Sequence, residues 1–254
     1  MIYFGKTDVG KKRKGNQDNF GIYRLADNVL LLAVCDGMGG ANGGEEASRI
    51  ALDAFSGEIK AVCLPRMRDD GKTVDMSGVN VRILLGNAAE EANSAVLGTA
   101  RKNPELAGMG TTLVALFIAD GNIYSINVGD SRIYRVNDGK ITQITHDHSY
   151  VQYLVDMGRL TPEEAKSSTN RNIITRAVGT TDGLEADVDA VEKGKGENIY
   201  FLLCSDGLTN MVTDEDIAKT VSGDGTLEKK VSELIEKANK NGGADNITAL
   251  LLGL

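Results

Sequence analysis

The run Val29-Leu30-Leu31-Leu32-Ala33-Val34-Cys35, stopped by Asp36-Gly37, constrains this chain more than any other feature. A strand with one covered face alternates apolar and polar residues, whereas an unbroken apolar run predicts a strand buried on both faces. A second apolar segment, residues 198 to 204, stops at Ser205-Asp206-Gly207 in the same way. Each places a carboxylate at a strand tip, where the sheet behind fixes it. The glycine that follows lets the backbone turn sharply and leaves its carbonyl open to a ligand. Carboxylate and carbonyl oxygens together suit hard cations such as Mg²⁺ or Mn²⁺. Asp-Gly alone is an ordinary turn, and the chain has several; the apolar strand directly upstream sets these two apart.

Around these strands the pattern predicts an α+β chain. Residues 18 to 24 and 29 to 35 read as strands, followed by a helix from about Gly44 to Lys60. Residues 61 to 77, with Pro65 and Asp69-Asp70-Gly71, read as a mobile loop. Val79, Ile83, Ala88, Ala92, Ala95 and Val96 mark one stripe of a long helix that stops before Pro104. A meander follows: Thr111 to Ala119, Asn122 to Val128, Ser131 to Asn137 and Lys140 to Ile144. Asp120-Gly121, Gly129-Asp130 and Asp138-Gly139 separate these strands as turns. Residues 146 to 170 are polar, with two short helices at most, and Thr161-Pro162-Glu163-Glu164 is a capping box. Strands resume near 173 to 177, 186 to 191 and 198 to 204, then a helix at 226 to 239 and a last strand, Ile247 to Leu252. With so little alternation of β and α, the sheets should be largely antiparallel with helices packed outside.

Composition narrows the class. The formal net charge of −8 repels nucleic acid, and the only dense basic run is Lys11-Lys12-Arg13-Lys14. Three widely spaced cysteines, Cys35, Cys63 and Cys204, with no C-x-x-C, argue against a disulfide framework and a thiolate zinc site. They fit a reducing cytoplasm. No signal-peptide core opens the chain, and no apolar run approaches the length of a membrane helix. The expectation is a cytoplasmic monomer with no stable membrane insertion, organised as a single domain over residues 1–254.

Other candidate sites are weaker. Gly37-x-Gly39-x-x-Asn42 nearly matches a dinucleotide fingerprint, but Asn42 replaces the third glycine and Asp36 would repel a pyrophosphate. Gly71-Lys72-Thr73 resembles the end of a P-loop, but Arg66 stands at its first glycine. His146 and His148 lack a third nitrogen or sulfur ligand. Cys35 and Cys204 read as small buried hydrophobes. Gly242-Gly243-Ala244-Asp245-Asn246 offers another carboxylate on a glycine-rich bend, and Gly129-Asp130-Ser131-Arg132 a fourth, where a hairpin turn is the ordinary reading.

Taken in order, the segments resemble the metal-dependent protein phosphatases, the type-2C or PPM family. The matching stretches are Arg13-Lys-Gly-Asn16-Gln17-Asp18, Asp36-Gly-Met-Gly-Gly40, Gly108-Met-Gly-Thr-Thr112, Gly129-Asp-Ser-Arg132, Asp147-His-Ser149, Asn172-Ile-Ile-Thr-Arg-Ala-Val-Gly179, Cys204-Ser-Asp-Gly207 and Gly243-Ala-Asp-Asn-Ile-Thr248. Each is weak alone; together, in family order and across nearly the whole chain, they are specific. The resemblance implies a four-layer αββα sandwich of two antiparallel sheets flanked by helices. It implies hydrolysis of phosphoserine and phosphothreonine by a metal-activated water, with two Mn²⁺ or Mg²⁺ ions and a third, weaker site.

By the same resemblance, Asp36 would bridge two metals, the Gly37 carbonyl would bind one of them, and Asp206 and Asp245 would complete the ligands of the second. Asp130 with Asp206 would form the third site. Arg13 would hold the substrate phosphate, Asp18 would act through metal-bound water, and a flap at about 146–170 would border the site. Many family members carry histidine at the position of Met38 as general acid; Met38 cannot donate a proton, and Met-Gly-Gly resembles the bacterial branch. That branch implies phosphorylated proteins as partners, among them a bacterial Ser/Thr kinase and its substrates. A catalytically dead phosphoprotein-binding domain on this fold would lack one or more of these aspartates. A Ca²⁺-binding structural protein would carry alternating acids closed by Glu, which are absent.

Overall fold

The period of two along the apolar runs sorts their side chains onto two sides, and both sides are covered. On β3 (Val29–Met38), Val29, Leu31, Ala33 and Cys35 pack under helices α1 (Gly40–Cys63) and α2 (Val81–Lys102). Leu30, Leu32 and Val34 point the other way, into a second core with Phe201, Leu203, Leu250 and Leu252. Each fully buried leucine of this kind contributes roughly 1.5–3 kcal/mol, so β3 anchors two layers at once. The computed structural model describes every residue but Glu197, and the side chains of Ala41 and Asn42 also fall outside the description. Asn42, the last position of the glycine fingerprint, is therefore outside the described side chains.

The opposing leucines belong to a different sheet. Its strands run in the order β1 (Ile2–Asp8), β11 (Ile247–Gly253), β10 (Ile199–Cys204), β7 (Arg132–Asn137) and β8 (Lys140–Gln143). The sheet holding β3 runs β2 (Asp18–Ala26), β3, β5 (Leu113–Ala119), β6 (Asn122–Val128) and β9 (Asp187–Val191), with β4 (Gly110–Thr111) paired to the end of β3. All these pairings are antiparallel. The short α5 (Asp206–Thr209) with α6 (Asp214–Ser222) and α7 (Leu227–Lys240) cover the outer face of the first sheet, where Ile217, Val221, Val231 and Leu234 meet Leu202, Cys204, Ala249 and Leu251. The layers are helix, sheet, sheet, helix, as the family resemblance implied.

Several local expectations change. The β6–β7 connection at Gly129-Asp130 is not a hairpin turn. β6 pairs with β5 and β9, whereas β7 pairs with β10 and β8, so the chain crosses between the sheets there. The true hairpins turn at Asp120-Gly121 and Asp138-Gly139, where both central residues have positive φ (48° and 78°; 49° and 79°). Residues 61 to 77 are pinned rather than loose. Val74 and Met76 are buried, and the Asn28 amide both donates to the Val74 carbonyl and accepts from its N–H, each at 2.9 Å.

In α2, Val81, Leu84, Leu85, Ala88, Ala89, Ala92 and Val96 form the buried stripe, and Ile83 faces solvent. The stripe is rotated because the paired leucines bury more surface than Ile83 could. Residues 173 to 177 form no strand; they dock through isolated bridges, Ser149 to Ile174 and Thr111 to Val178 on either side. Residues 146 to 170 do hold two short helices, α3 (Tyr150–Asp156) and α4 (Pro162–Ser167), the latter with its capping box closed.

Candidate active site

The parity that fills the gap between the sheets continues beyond the apolar residues. Val34 faces the gap, so Asp36, two residues on, lies on the same face. Phe20 and Ile22 of β2 pack into the gap as well, and Asp18, on that face, stands opposite Asp36 in the register. From the facing sheet come Ser205, just past β10, and Thr248 of β11. Their hydroxyls both donate to Asp18 Oδ2 at 2.7 Å, so one carboxylate ties the two sheets together. The other oxygen, Asp18 Oδ1, is buried with no hydrogen-bond partner.

The remaining aspartates arrive at the same end of the gap. Asp36 is held by its backbone: its N–H donates to Thr112 Oγ1 and its carbonyl accepts from the Thr112 N–H, each at 2.9 Å. Asp206 opens α5, and its Oδ2 accepts from Asn210 Nδ2 at 3.0 Å. Asp245 accepts from Arg13 Nη2 at 2.8 Å, and from the Asn246 N–H at 2.9 Å. Cys204, two residues before Asp206, pairs with Arg132, two residues after Asp130, which brings the sheet crossover to this end too. Glycine is required at Gly37 and Gly207. A Cβ on Gly37 would strike the Gly44 and Gln17 carbonyls, and one on Gly207 the Asn246 carbonyl.

Charge dominates this end. Burial, and then the neighbouring carboxylates, push Asp36 well above the usual carboxylate range. Burial is the largest cause for the others as well: it lifts Asp18 to about 7, Asp130 to about 8 and Asp206 to about 6. Arg13, half-exposed, pairs with Asp245, whose hydrogen bond and then charge raise its pKa. Part-buried carboxylates that repel one another call for positive charge, and the unpartnered oxygen of the fully buried Asp18 calls for a donor.

The donor set therefore fits hard divalent cations. Among the described residues no group of three His, Cys, Asp or Glu side chains forms a closed cage around one ion. Mg²⁺-type ions keep several waters and take one or two carboxylates each, so they do not require such a cage. Asp36, Asp206 and Asp245, with the Gly37 carbonyl, would hold such ions, and Asp130 is near enough for its charge to act on Asp36.

The histidines are occupied elsewhere. His146 Nε2 meets Asp156 Oδ2 at 2.8 Å. His148 Nδ1 accepts from the Gly129 N–H at 3.2 Å, and its Nε2 lies 3.0 Å from Asp187 Oδ2 and 3.1 Å from Arg176 Nη1. The cysteines are free, buried and raised by burial, as small hydrophobes should be. The motif stretches contain Thr112, Ser205, Asn246 and Thr248 but assign them no role, and Asn210 lies outside them; in the structure these residues hold the aspartates. A signal for two of them existed: Ser205 and Thr248 are polar residues at gap-facing positions of otherwise apolar segments.

Two antiparallel sheets with a carboxylate cluster short of positive charge at one end of their gap make a site suited to divalent cations. Residues 10–251 match the family model described as protein phosphatase 2C. The serine/threonine phosphatase stp of Listeria monocytogenes is 36% identical over 97% of this chain and 93% of its own length. The serine/threonine protein phosphatase PstP of Mycobacterium tuberculosis is 38% identical over 99% of this chain, which spans 44% of that longer protein. Among solved structures, Stp1 from Staphylococcus aureus superposes with a TM-score of 0.88 at 35% identity, covering 99% of this chain and 94% of that one. The PstP catalytic domain in complex with two manganese ions superposes with a TM-score of 0.78 at 34% identity, covering 98% and 96%. The chain belongs to the protein phosphatase 2C family.

Proposed function

We propose that this chain hydrolyses phosphoserine and phosphothreonine on proteins, using divalent cations held by Asp36, Asp206, Asp245 and the Gly37 carbonyl, with Asp130 and Asp206 at a third site. The observation that carries this reading is the cluster of part-buried, mutually repelling aspartates, in which Arg13 makes its ion pair with Asp245 only. When bound, the cations supply an acidified water that attacks phosphorus at neutral pH and offset charge on the phosphoryl oxygens.

The chain's own residues do the rest. Arg13, on the exposed side of the cluster, is free to exchange Asp245 for the substrate phosphate, where a guanidinium bonds two oxygens at once. Asp18 is fixed by Ser205 and Thr248 with one oxygen left over to orient a water. Met38 has no proton to give and both histidines are engaged, so the leaving oxygen takes its proton from water in the cleft.

Residues 1–254 act as one catalytic domain in this reading, and residues 146–170 form a flap that bears on substrate choice. Relatives named as serine/threonine phosphatases in Listeria and Mycobacterium support phosphoproteins as substrates, and with them a Ser/Thr kinase whose products this enzyme reverses. No helix among the described residues is long and apolar enough to cross a membrane, which is compatible with a monomer acting in the cytoplasm. A phosphothreonine peptide assayed with Mn²⁺, with and without chelator, tests the activity. Release of phosphate that stops on chelation and returns with Mn²⁺ is expected; turnover indifferent to the chelator would sink the reading.

A further inference from the structure

Arg13 lies on a loop held at both ends: the Lys11 N–H donates to the Gly243 carbonyl at 2.8 Å, and the Asn16 amide donates to Thr7 Oγ1 at 2.8 Å. Residues 9 to 17 form no helix or strand, and residues 11 to 15 are exposed. A guanidinium helps at a phosphate only if its position is fixed beforehand; otherwise ordering the loop on binding consumes the interaction.

One buried side chain closes this loop. Asn246 Oδ1 accepts from the Gln17 N–H at 2.8 Å, and Asn246 Nδ2 donates to the Val9 carbonyl at 2.9 Å and the Gly15 carbonyl at 3.0 Å. Val9 precedes Arg13; Gly15 and Gln17 follow it. A single amide therefore staples the neck of the loop on both sides of the arginine. The orientation of the amide is fixed by chemistry, since the flipped form would set NH₂ against an N–H and an oxygen against two carbonyls. The backbone of Asn246 is tied to the site as well. Its N–H donates to Asp245 Oδ1 at 2.9 Å, and its carbonyl leaves no room for a side chain on Gly207.

We propose that Asn246 is a positioning residue for substrate phosphate, acting through the Arg13 loop rather than through the metals. The inference rests on the reading of Arg13 as the phosphate ligand. Removing the amide deletes the three bonds that join Val9, Gly15 and Gln17 through one side chain; the Lys11 and Asn16 bonds remain, so the loop loosens, and Arg13 reaches the phosphate less often while the aspartates keep their places.

A double-mutant cycle at saturating Mn²⁺ with a phosphothreonine peptide tests this. Asn246→Ala is expected to raise KM roughly tenfold, with the Mn²⁺ concentration for half-activation unchanged. In an Arg13→Ala background the same substitution is expected to add almost nothing to KM. If Asn246→Ala does not fold, Asn246→Asp serves in the same cycle; it is isosteric, keeps the bond from Gln17 and sets an oxygen against the two carbonyls. A KM defect that multiplies in full onto that of Arg13→Ala overturns the inference, as does a shifted Mn²⁺ requirement with KM unchanged. An unaltered KM in Arg13→Ala alone overturns the phosphate reading of Arg13, and the inference with it, and so marks which of the two has failed.

Discussion

At the residue scale, the aspartates at the site act against the fold that holds them. Asp18, Asp36, Asp130 and Asp206 are drawn wholly or partly out of water and set near others of their kind, so the folded chain resists their ionisation. A group whose folded pKa is raised adds stability below its unfolded value and loses it as pH rises through the folded one. For Asp18, Asp206 and Asp130 that window runs from about 4, the ordinary carboxylate value, to about 8. Asp36→Asn removes one charge from the cluster without changing its shape. It should abolish turnover by orders of magnitude yet, in chelator, melt at or above the wild-type temperature. Its advantage over wild type should widen from pH 5 to pH 8 in thermal melts, as the remaining charges ionise. An advantage that shrinks over that range would mean the carboxylates are already satisfied without metal. Among these residues, Asp36 and Asp206 were legible because a strand tip followed by glycine is a local pattern. Asp245 and Asp130 were weak signals, and their roles came from the order of motifs, since convergence of distant segments leaves no local trace.

At the element scale, the reading succeeded where one periodicity ruled and failed where tertiary contacts decided. β3 and β10 announce their burial by continuous apolar runs. β1 and α6 went unseen: β1 is an edge strand with a broken pattern, and α6 opens on Asp214-Glu215-Asp216, capped by Thr213. Gly129-Asp130 looks like its neighbouring Asp-containing turns, and only strand pairing reveals that it passes between sheets.

The segment Asp147-His148-Ser149 then ties that crossover to the flap. Asp147 takes three hydrogen bonds from the Arg132 guanidinium, at 2.6 to 2.9 Å, His148 exchanges bonds with Gly129, and Ser149 caps α3. The Asp147 carboxylate is almost fully buried, and breaking a buried pair by removing one charge costs about 3–5 kcal/mol. Asp147→Asn should therefore lower stability by about 3 kcal/mol, the smaller figure because Arg132 is partly exposed and can recruit water. Denaturant unfolding would show this as a lower midpoint with an unchanged slope; an effect under about 0.5 kcal/mol, the size of an ordinary surface change, would remove this pair from the account of the flap's anchorage.

At the scale of the whole molecule, the αββα sandwich makes the site a consequence of its own core. Two sheets packed on leucines and phenylalanines leave a gap whose walls are set by side-chain parity, and at one end the apolar residues give way to Asp18, Asp36, Ser205 and Thr248. Covering the outer faces with helices buries both sides of β3 and β10, which fixes the strand tips rigidly enough to hold like charges together. The antiparallel class was readable from the scarcity of β–α alternation, but the pairing of strands into two sheets was not, because β6 and β7 are neighbours in sequence and belong to different layers. The central claim is that this end of the gap is a divalent metal centre. Crystals grown with Mn²⁺ and measured for anomalous scattering test it most directly. Strong manganese peaks between Asp36, Asp206 and Asp245, with Arg13 withdrawn from Asp245, are the expected result; a well-ordered site without manganese peaks, Arg13 still on Asp245, would rule out a metal centre there.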